Sequence, residues 1–74
     1  MRLNQIRDFV AVVECGGIRD AARKLGVSQP AITRSVRGLE TELRARLLQR
    51  TPTGVVLTES GRAFLARARA AQSE

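Results

Sequence analysis

The sequence predicts a mostly α-helical fold: three helices, a small β-hairpin and a final helix. Apolar residues recur at helical spacing in four stretches, which glycines and turn-forming residues separate. Between residues 47 and 57 two short β-prone runs flank a turn signal instead. The 74 residues make one domain, and a chain this short hides only about 60% of its unfolded surface on folding. We therefore expect pairing with a second copy to stabilise it.

The strongly basic composition points to a polyanionic partner. The formal net charge is +6 and the sequence pI is about 11.5; every basic residue except Lys24 is an arginine. Such a balance favours nucleic acid first and an anionic membrane second. Phe9 and Phe64 are the only aromatic residues, so stacking of unpaired bases is poorly supported. Duplex DNA fits better.

Several function classes are disfavoured by what the sequence lacks. It has no apolar run near the roughly 18 residues of a membrane span and no secretory signal, so we expect a cytoplasmic protein. With no histidine and only Cys15, we predict neither a metal site nor any other cofactor, and an inert thiol is favoured over a redox switch. The carboxylates are scattered and no phosphate-cradling glycine loop is present, so we do not expect an enzyme.

The first two predicted helices are short and amphipathic. Asn4 is the expected cap of the first, whose core-facing stripe is Ile6, Phe9, Val10 and Val13. Gly16 and Gly17 should end it. The second helix repeats the spacing with Ile18, Ala21, Ala22 and Leu25, and Gly26 suits the left-handed position beyond its end. The two alanines would let another helix approach closely, as a helix-turn-helix corner requires.

The third predicted helix, at about 28–43, has an apolar side and a basic side. Ser28 is its natural N-cap and Pro30 is tolerated in the first turn. The apolar side consists of Ile32, Val36, Leu39 and Leu43. The opposite side is centred on Pro30, Thr33, Arg34, Arg37 and Thr41. Because Glu40 and Glu42 lie toward the far end, the charge pattern indicates that the N-terminal half meets DNA.

A β-hairpin and a last helix complete the pattern. Residues 47–50 and 55–57 are the predicted strands, around a turn at residues 51–54. Thr58 should cap the last helix, with Glu59 well placed for the helix dipole. Its apolar stripe is either core or a dimer seam, and we favour the seam because so short a chain has little other surface to cover it. The stripe is Phe64, Leu65, Ala68 and Ala71.

Together these motifs resemble the N-terminal winged helix-turn-helix of LysR-type transcriptional regulators. The resemblance rests on FVAVV at residues 9–13, AARKLGVSQPAITR at 21–34, LE at 39–40, LLQR at 47–50 and LTESG at 57–61. It covers nearly the whole chain. Helix-turn-helix spacing alone is weakly specific, whereas the joint spacing of these motifs is much more so.

The resemblance implies a symmetric homodimer paired through the last helix. Residues 1–58 would form the winged helix-turn-helix DNA-binding domain and residues 59–74 a linker and dimerisation helix. The resemblance also implies an effector-sensing domain beyond this segment, so the chain is expected to be an excised fragment. A small-molecule effector would act only through that absent domain. The chain departs from the family at Arg44, where glycine is usual and ends the third helix, and at Thr53, where many members have a basic wing residue.

Ten residues are predicted to contact DNA: Ser28, Gln29, Pro30, Ala31, Thr33, Arg34, Arg37, Arg50, Thr51 and Thr53. Arginine pairs bidentately with guanine, glutamine with adenine, and apolar surface contacts thymine methyls. Arg34, Gln29 and the Pro30-Ala31 pair fit these roles, although Gln29 and Pro30 also simply start a helix, and Thr33 fits a base edge or a phosphate.

The remaining candidates also have structural roles that involve no DNA. Ser28 can cap the helix, contact a phosphate or do both, and capping is favoured. Arg37 is either a contact at the groove edge or a solvated arginine, and Arg50 either approaches the DNA backbone or pairs with an acid such as Glu40. Wing hydroxyls would touch phosphate or sugar. Arg19 and Arg23 are left open between phosphate contact and ordinary solvation.

A competing hypothesis is a basic helical module that lies on an anionic membrane or protein partner. A membrane-surface helix exposes bulky apolar residues beside its basic face, whereas here the sequence assigns those residues to the core. The favoured function is therefore sequence-specific binding of an inverted-repeat duplex site by a homodimer that regulates transcription.

Overall fold

The computed structural model describes residues 1–73, and its elements follow the predicted order. The elements are helices α1 (Leu3–Cys15), α2 (Ile18–Leu25) and α3 (Gln29–Leu43), strands β1 (Leu48–Thr51) and β2 (Gly54–Leu57), and helix α4 (Glu59–Ser73). Glu74, the end of the predicted 59–74 linker, lies outside the described residues. Within the described part of the chain, every helix is too short or too polar to cross a bilayer.

Helix α1 begins earlier than the sequence predicted. Arg2, not Asn4, is the N-cap, and its backbone N–H donates to Oε1 of Gln5 at 2.9 Å. Because Gln5 reaches back in this way, Leu3 is already helical and Asn4 becomes an exposed helix residue. The predicted stop is confirmed: Gly16 has φ 81° and its N–H donates to the carbonyl of Val12.

Close packing of α2 builds the helix-turn-helix corner. Ala21 and Ala22 are buried, and α1 packs against both α2 and α3. Gly26 ends α2 with φ 69°, and the N–H of Val27 returns to the carbonyl of Ala22 at 3.0 Å. Only the loop 26–28 separates α2 from α3, so the two helices are held at a fixed corner.

The core is wider on α1 than the predicted stripe. Phe9 and Val10 are buried as expected, while Ile6 and Val13 are only partly buried at its edge. Val12 is fully buried as well, because α2 and α3 both cover α1. The ring of Phe9 meets that of Phe64 edge-on, with centroids 5.6 Å apart. The largest fully buried side chains are Phe9, Ile32, Leu39, Leu47 and Val12.

Arg44 ends α3 although it is not glycine. Its backbone is left-handed, with φ 53° and ψ 43°, and the N–H of Ala45 donates to the carbonyl of Glu40 at 3.1 Å. The departure from glycine therefore does not lengthen the helix. A non-glycine residue in this conformation costs roughly 1–2 kcal/mol, and Arg44 is the one described non-glycine residue with positive φ.

The predicted hairpin forms, and it packs tightly on the helical corner. Strands β1 and β2 are antiparallel, with Arg50 opposite Val55 and Thr51 opposite Gly54. Gly54 has φ 147°, and a Cβ there would lie 2.7 Å from the carbonyl oxygen of Gly16. Glycine at this position thus lets the wing approach the end of α1 directly.

Helix α4 is anchored at its start and covers the core with part of its stripe. The Thr58 hydroxyl accepts from the N–H of Gly61 at 2.9 Å and donates to the carbonyl of Arg46, which confirms its capping role. Leu65 and Ala68 are buried within the single chain. The other two members of the predicted seam are Phe64, which is partly buried, and Ala71, which is exposed. Leu65 and Ala68 therefore belong to the core of this chain, the alternative that the sequence analysis had left open beside the favoured dimer seam.

We expect Gly61→Ala to destabilise the fold by about 1–3 kcal/mol or more, because overpacking forces the backbone apart. An added Cβ would lie 2.1 Å from the carbonyl oxygen of Leu47, which cannot move without shifting β1. Gly38→Ala is the matched control, since its Cβ meets only the movable amide end of Gln5 at 2.9 Å. Alanine in mid-helix should stabilise by up to about 1 kcal/mol. Urea unfolding measures both; a Gly61→Ala chain as stable as wild type would contradict the close approach.

Candidate nucleic-acid interface

Helix α3 is rotated so that its apolar side is sealed and its basic side is open. Ile32 and Leu39 have no exposed surface and Val36 is 6% exposed. Of the ten predicted contact residues, the exposed ones are Ser28, Gln29, Pro30, Arg34, Arg37, Arg50 and Thr53, and the partly buried ones are Ala31, Thr33 and Thr51. None of the ten is buried, so the surface that the sequence proposed is physically available.

The start of α3 carries the densest group of these residues. The Ser28 hydroxyl accepts from the N–H of Ala31 at 3.2 Å, so its capping role is confirmed. Five side chains then line one shallow cleft: Gln29, Pro30, Thr33, Arg34 and Arg37. The cleft combines an amide, two guanidinium groups, a hydroxyl and an apolar ring. These groups suit the edges of base pairs.

The wing extends this surface. Arg50 lines one cleft with Thr33 and Arg37. It also lines a second cleft with Gln29, and with Arg19 and Arg23 from α2. Arginines from three elements therefore surround the start of α3, which gives a continuous positive surface.

Arg50 is not used for the structural pairing with Glu40 that the sequence left open. Glu40 is turned instead toward the backbone where β1 begins: its Oε2 accepts from the N–H of Leu47 at 2.7 Å and of Leu48 at 3.2 Å. The charged partner near it is Arg46, whose Nε lies 4.0 Å away. In the described part of the chain Arg50 makes no ion pair, so its charge is available to a ligand.

This role of Glu40 was missed by sequence reasoning. Glu40 is seven positions before Leu47, and the intervening turn at Arg44 brings the two together. The residue at position 44 does not favour that turn, because arginine rarely adopts a left-handed backbone. The resemblance, in which glycine is usual there, was the one signal of a helix end at Arg44. The carboxylate ties α3 to the wing, and its side chain is only 14% exposed.

The residues around the start of α3, on α2 and in the wing, differ in whether their side chains already have a partner within the chain. Arg23 lies 3.8 Å from Asp20, an exposed pair, which is worth little in energy. Arg19 is exposed and lines the same cleft as Arg23 and Arg50. In the wing the Thr51 hydroxyl lies 3.3 Å from the Gly54 carbonyl and 3.4 Å from the Thr53 hydroxyl. The Thr51 hydroxyl is therefore engaged within the turn, while Thr53 is exposed at its tip.

Comparison with known families places this geometry in a defined group. The family model described as a bacterial regulatory helix-turn-helix protein of the lysR family matches residues 3–62. The transcriptional regulator TfdT of Cupriavidus pinatubonensis is 45% identical over 69 residues, which cover 93% of this chain and 30% of that protein. ClcR of Pseudomonas putida is 49% identical over 69 residues, which cover 93% and 24%. The chain thus spans less than a third of the length of these relatives.

Solved structures agree with the sequence relatives. The DNA-binding domain of CbnR in complex with DNA matches with a TM-score of 0.93 and 44% identity, covering 99% of this chain and 84% of that one. The BenM DNA-binding domain with benA site 1 DNA matches with a TM-score of 0.92 and 40% identity, covering 99% and 85%. The fold is therefore the winged helix-turn-helix that the sequence predicted, with α2 and α3 as the helix pair and β1–β2 as the wing.

We expect Glu40→Ala to destabilise the fold, because each N–H left without an acceptor costs roughly 1–3 kcal/mol. Glu40→Gln keeps an acceptor oxygen and should lose less. Glu42→Ala is the matched control on the same helix. Its carboxylate is 48% exposed and, among residues 1–73, has the Met1 ammonium group as its one ion-pair partner, so the substitution should change stability by about 1 kcal/mol at most. Urea unfolding gives the free energies. Equal losses of unfolding free energy for Glu40→Ala and Glu42→Ala would contradict the proposed role of the Glu40 carboxylate in tying α3 to the wing.

Proposed function

Because this chain belongs to the lysR family of bacterial regulatory helix-turn-helix proteins, we propose that it binds a specific duplex DNA site as one half of a homodimer and regulates transcription. The chain is a DNA-binding domain of that family. The observation that carries the proposal is the orientation of α3, whose basic side is open to solvent while Ile32, Val36 and Leu39 of its apolar side are buried. A helix exposed in this way fits the major groove, which admits one α-helix.

The start of α3 is proposed to read base edges. The Arg34 guanidinium suits O6 and N7 of guanine, and the Gln29 amide suits N6 and N7 of adenine. Pro30 and Ala31 offer apolar surface to thymine methyl groups. Thr33, partly buried beside Arg50, reaches either a base edge or the adjoining phosphate.

Contacts to the sugar-phosphate backbone are proposed for the surrounding residues. Arg37 lines the cleft at the start of α3, called here the reading cleft, and Arg50 lines the cleft next to it. Neither makes an ion pair among the described residues, so both suit phosphates on either side of the groove. Ser28 can donate its hydroxyl proton to a phosphate while it caps α3. Thr53 is exposed at the wing tip, where its hydroxyl lies 3.4 Å from that of Thr51, and Thr51 would contribute mainly by shaping the turn.

We propose dimerisation through residues 59–74, with residues 1–58 as the DNA-binding unit. Since Leu65 and Ala68 are committed to the chain's own core, a partner helix would meet the stripe at Phe64 and Ala71. Two-fold symmetry then requires an inverted-repeat site with half-sites about 34–36 Å apart, or a multiple of that spacing. A small-molecule effector would act through a further part of the full-length protein, in the cytoplasm where the DNA lies.

Attachment to an anionic membrane is the weaker alternative. The large apolar side chains that are exposed in the described residues are Met1, Leu3, Val27 and Val56, and none belongs to α3. A surface-lying helix would need such residues beside its arginines. The arginines of α3 have polar neighbours and a buried apolar side instead, which favours the groove of a duplex.

Selection of bound duplexes from a random pool tests the proposal directly. We expect an enriched inverted repeat, because each protomer presents the same reading surface in two-fold related orientation. The half-site spacing should correspond to about one turn of DNA or a multiple. A pool that shows no sequence enrichment after binding would contradict sequence-specific recognition.

Arg34→Ala and Arg50→Ala should weaken binding to the selected duplex in different ways. Loss of a bidentate base contact at Arg34 should cost about 1–3 kcal/mol and relax preference at one base pair of each half-site. Loss of a phosphate contact at Arg50 should weaken all sequences alike and lower the salt slope by about 1 for each protomer. Titrations at several salt concentrations, on the selected duplex and on single-base variants, measure both effects.

Arg62→Ala is the control for that pair, since Arg62 is an exposed arginine of α4 outside the clefts around α3 and the wing. Its base preference should match wild type. Uniform weakening by Arg34→Ala on every sequence would assign Arg34 to phosphate instead, and an unchanged slope for Arg50→Ala would remove Arg50 from the backbone.

A further inference from the structure

A second basic cleft lies at the far end of α3. It is lined by Arg37, Glu40, Thr41, Arg44, Ala45 and Arg46. Arg37 also lines the reading cleft at the start of the helix, so the two clefts share this residue. We propose that Arg44 and Arg46 contact phosphates of the DNA backbone at the edge of the major groove. This inference rests on the proposed DNA-binding function and extends its footprint.

The acidic residues near this cleft offset only part of its positive charge. Glu40 lines the cleft and lies 4.0 Å from Arg46, so three arginines there face one carboxylate. The same carboxylate accepts from the backbone N–H groups of Leu47 and Leu48. Glu42 pairs with the Met1 ammonium group at 2.5 Å. Because both carboxylates have these other partners, the cleft keeps an excess of positive charge.

The arginines themselves are free to bind an anion. The side chain of Arg46 is 78% exposed, and its contact with Glu40 is long, at 4.0 Å. Arg37 and Arg44 are exposed, and within residues 1–73 neither takes part in an ion pair. Three guanidinium groups around one cleft repel each other in the absence of a ligand. An anion between them relieves that repulsion.

The backbone of Arg44 gives an independent reason to look for a function. It holds a left-handed conformation that glycine adopts without strain. Packing does not require the arginine side chain there, since the residue is exposed. Strained positions of this kind tend to occur where a side chain serves a binding site.

Geometry identifies the anion as DNA phosphate rather than a base edge. Arg37 and Arg44 line the same cleft, although Arg44 itself has a left-handed backbone just beyond the end of α3. Arg44 lies ten positions beyond Arg34, about 15 Å along the helix axis. With Arg34 at the base edges, Arg44 is too far along to read the same base pairs, and its guanidinium pairs well with phosphate.

The test compares Arg44→Gly and Arg44→Gln with wild type on the selected duplex. Each should reduce the slope of log affinity against log salt by about 0.9 for each protomer, or about 1.8 for the dimer. This corresponds to roughly sixtyfold weaker binding at 0.1 M salt and to an affinity close to that of wild type at 1 M. Base preference should be retained. Arg44→Lys, which keeps the charge, should keep the slope, and so should the control Arg62→Gln on α4.

Arg44→Gly also separates binding from folding. It should raise the urea unfolding midpoint, since glycine relieves the left-handed backbone, while it weakens DNA binding. A wild-type salt slope for both Arg44→Gly and Arg44→Gln, with duplex binding intact, would overturn the phosphate contacts of Arg44 and leave the proposed function standing. Loss of preference at one base pair in these variants would have the same meaning, because it would assign Arg44 to a base edge. A wild-type chain that binds no duplex would overturn the proposed function itself.

Discussion

Burial of one side of α3 fixes how that helix is rotated about its axis, and the rest of the interface follows from that rotation. Ile32 and Leu39 are completely enclosed by α1 and its neighbours. Turning the helix by one residue, about 100°, would expose these two and draw arginines into the core. Exposure of a large aliphatic side chain costs roughly 1.5–3 kcal/mol, and burial of an unpaired arginine costs more. The open position of Arg34 is therefore a consequence of the core.

A second set of contacts fixes the wing relative to that helix. The carboxylate of Glu40 holds the start of β1, and Gly54 lets β2 approach the backbone at Gly16. Thr58 closes the arrangement by bonding the carbonyl of Arg46. These contacts are hydrogen bonds and a close backbone approach between separate segments, so they add orientation to a fold whose stability comes mainly from the apolar core. Their result is that Arg50 lies beside α3 and does not point away from it.

Patterns with local causes were predictable from the sequence, and contacts between distant segments were not. Helical spacing predicted the open and closed sides of α3, and Ser28 and Thr58 predicted two helix starts, because caps depend on neighbouring residues. Asn4 failed as a cap since Gln5 competes for the same helix start. The roles of Glu40 and Leu65 depend on which elements meet in three dimensions. Sequence spacing alone does not contain that information, and the contacts of the ten proposed DNA-binding residues remain predictions.

The central claim is that the open side of α3 and the wing together meet the duplex. Titration of the isotope-labelled chain with its selected duplex, followed by backbone amide and arginine side-chain NMR signals, tests this most directly. We expect the largest shifts at residues 28–37 and on β1, with the signals of the exposed residues of α1 unchanged. Shifts concentrated on α1 or α4, with the Arg34 and Arg50 side-chain signals unmoved at saturating duplex, would contradict it.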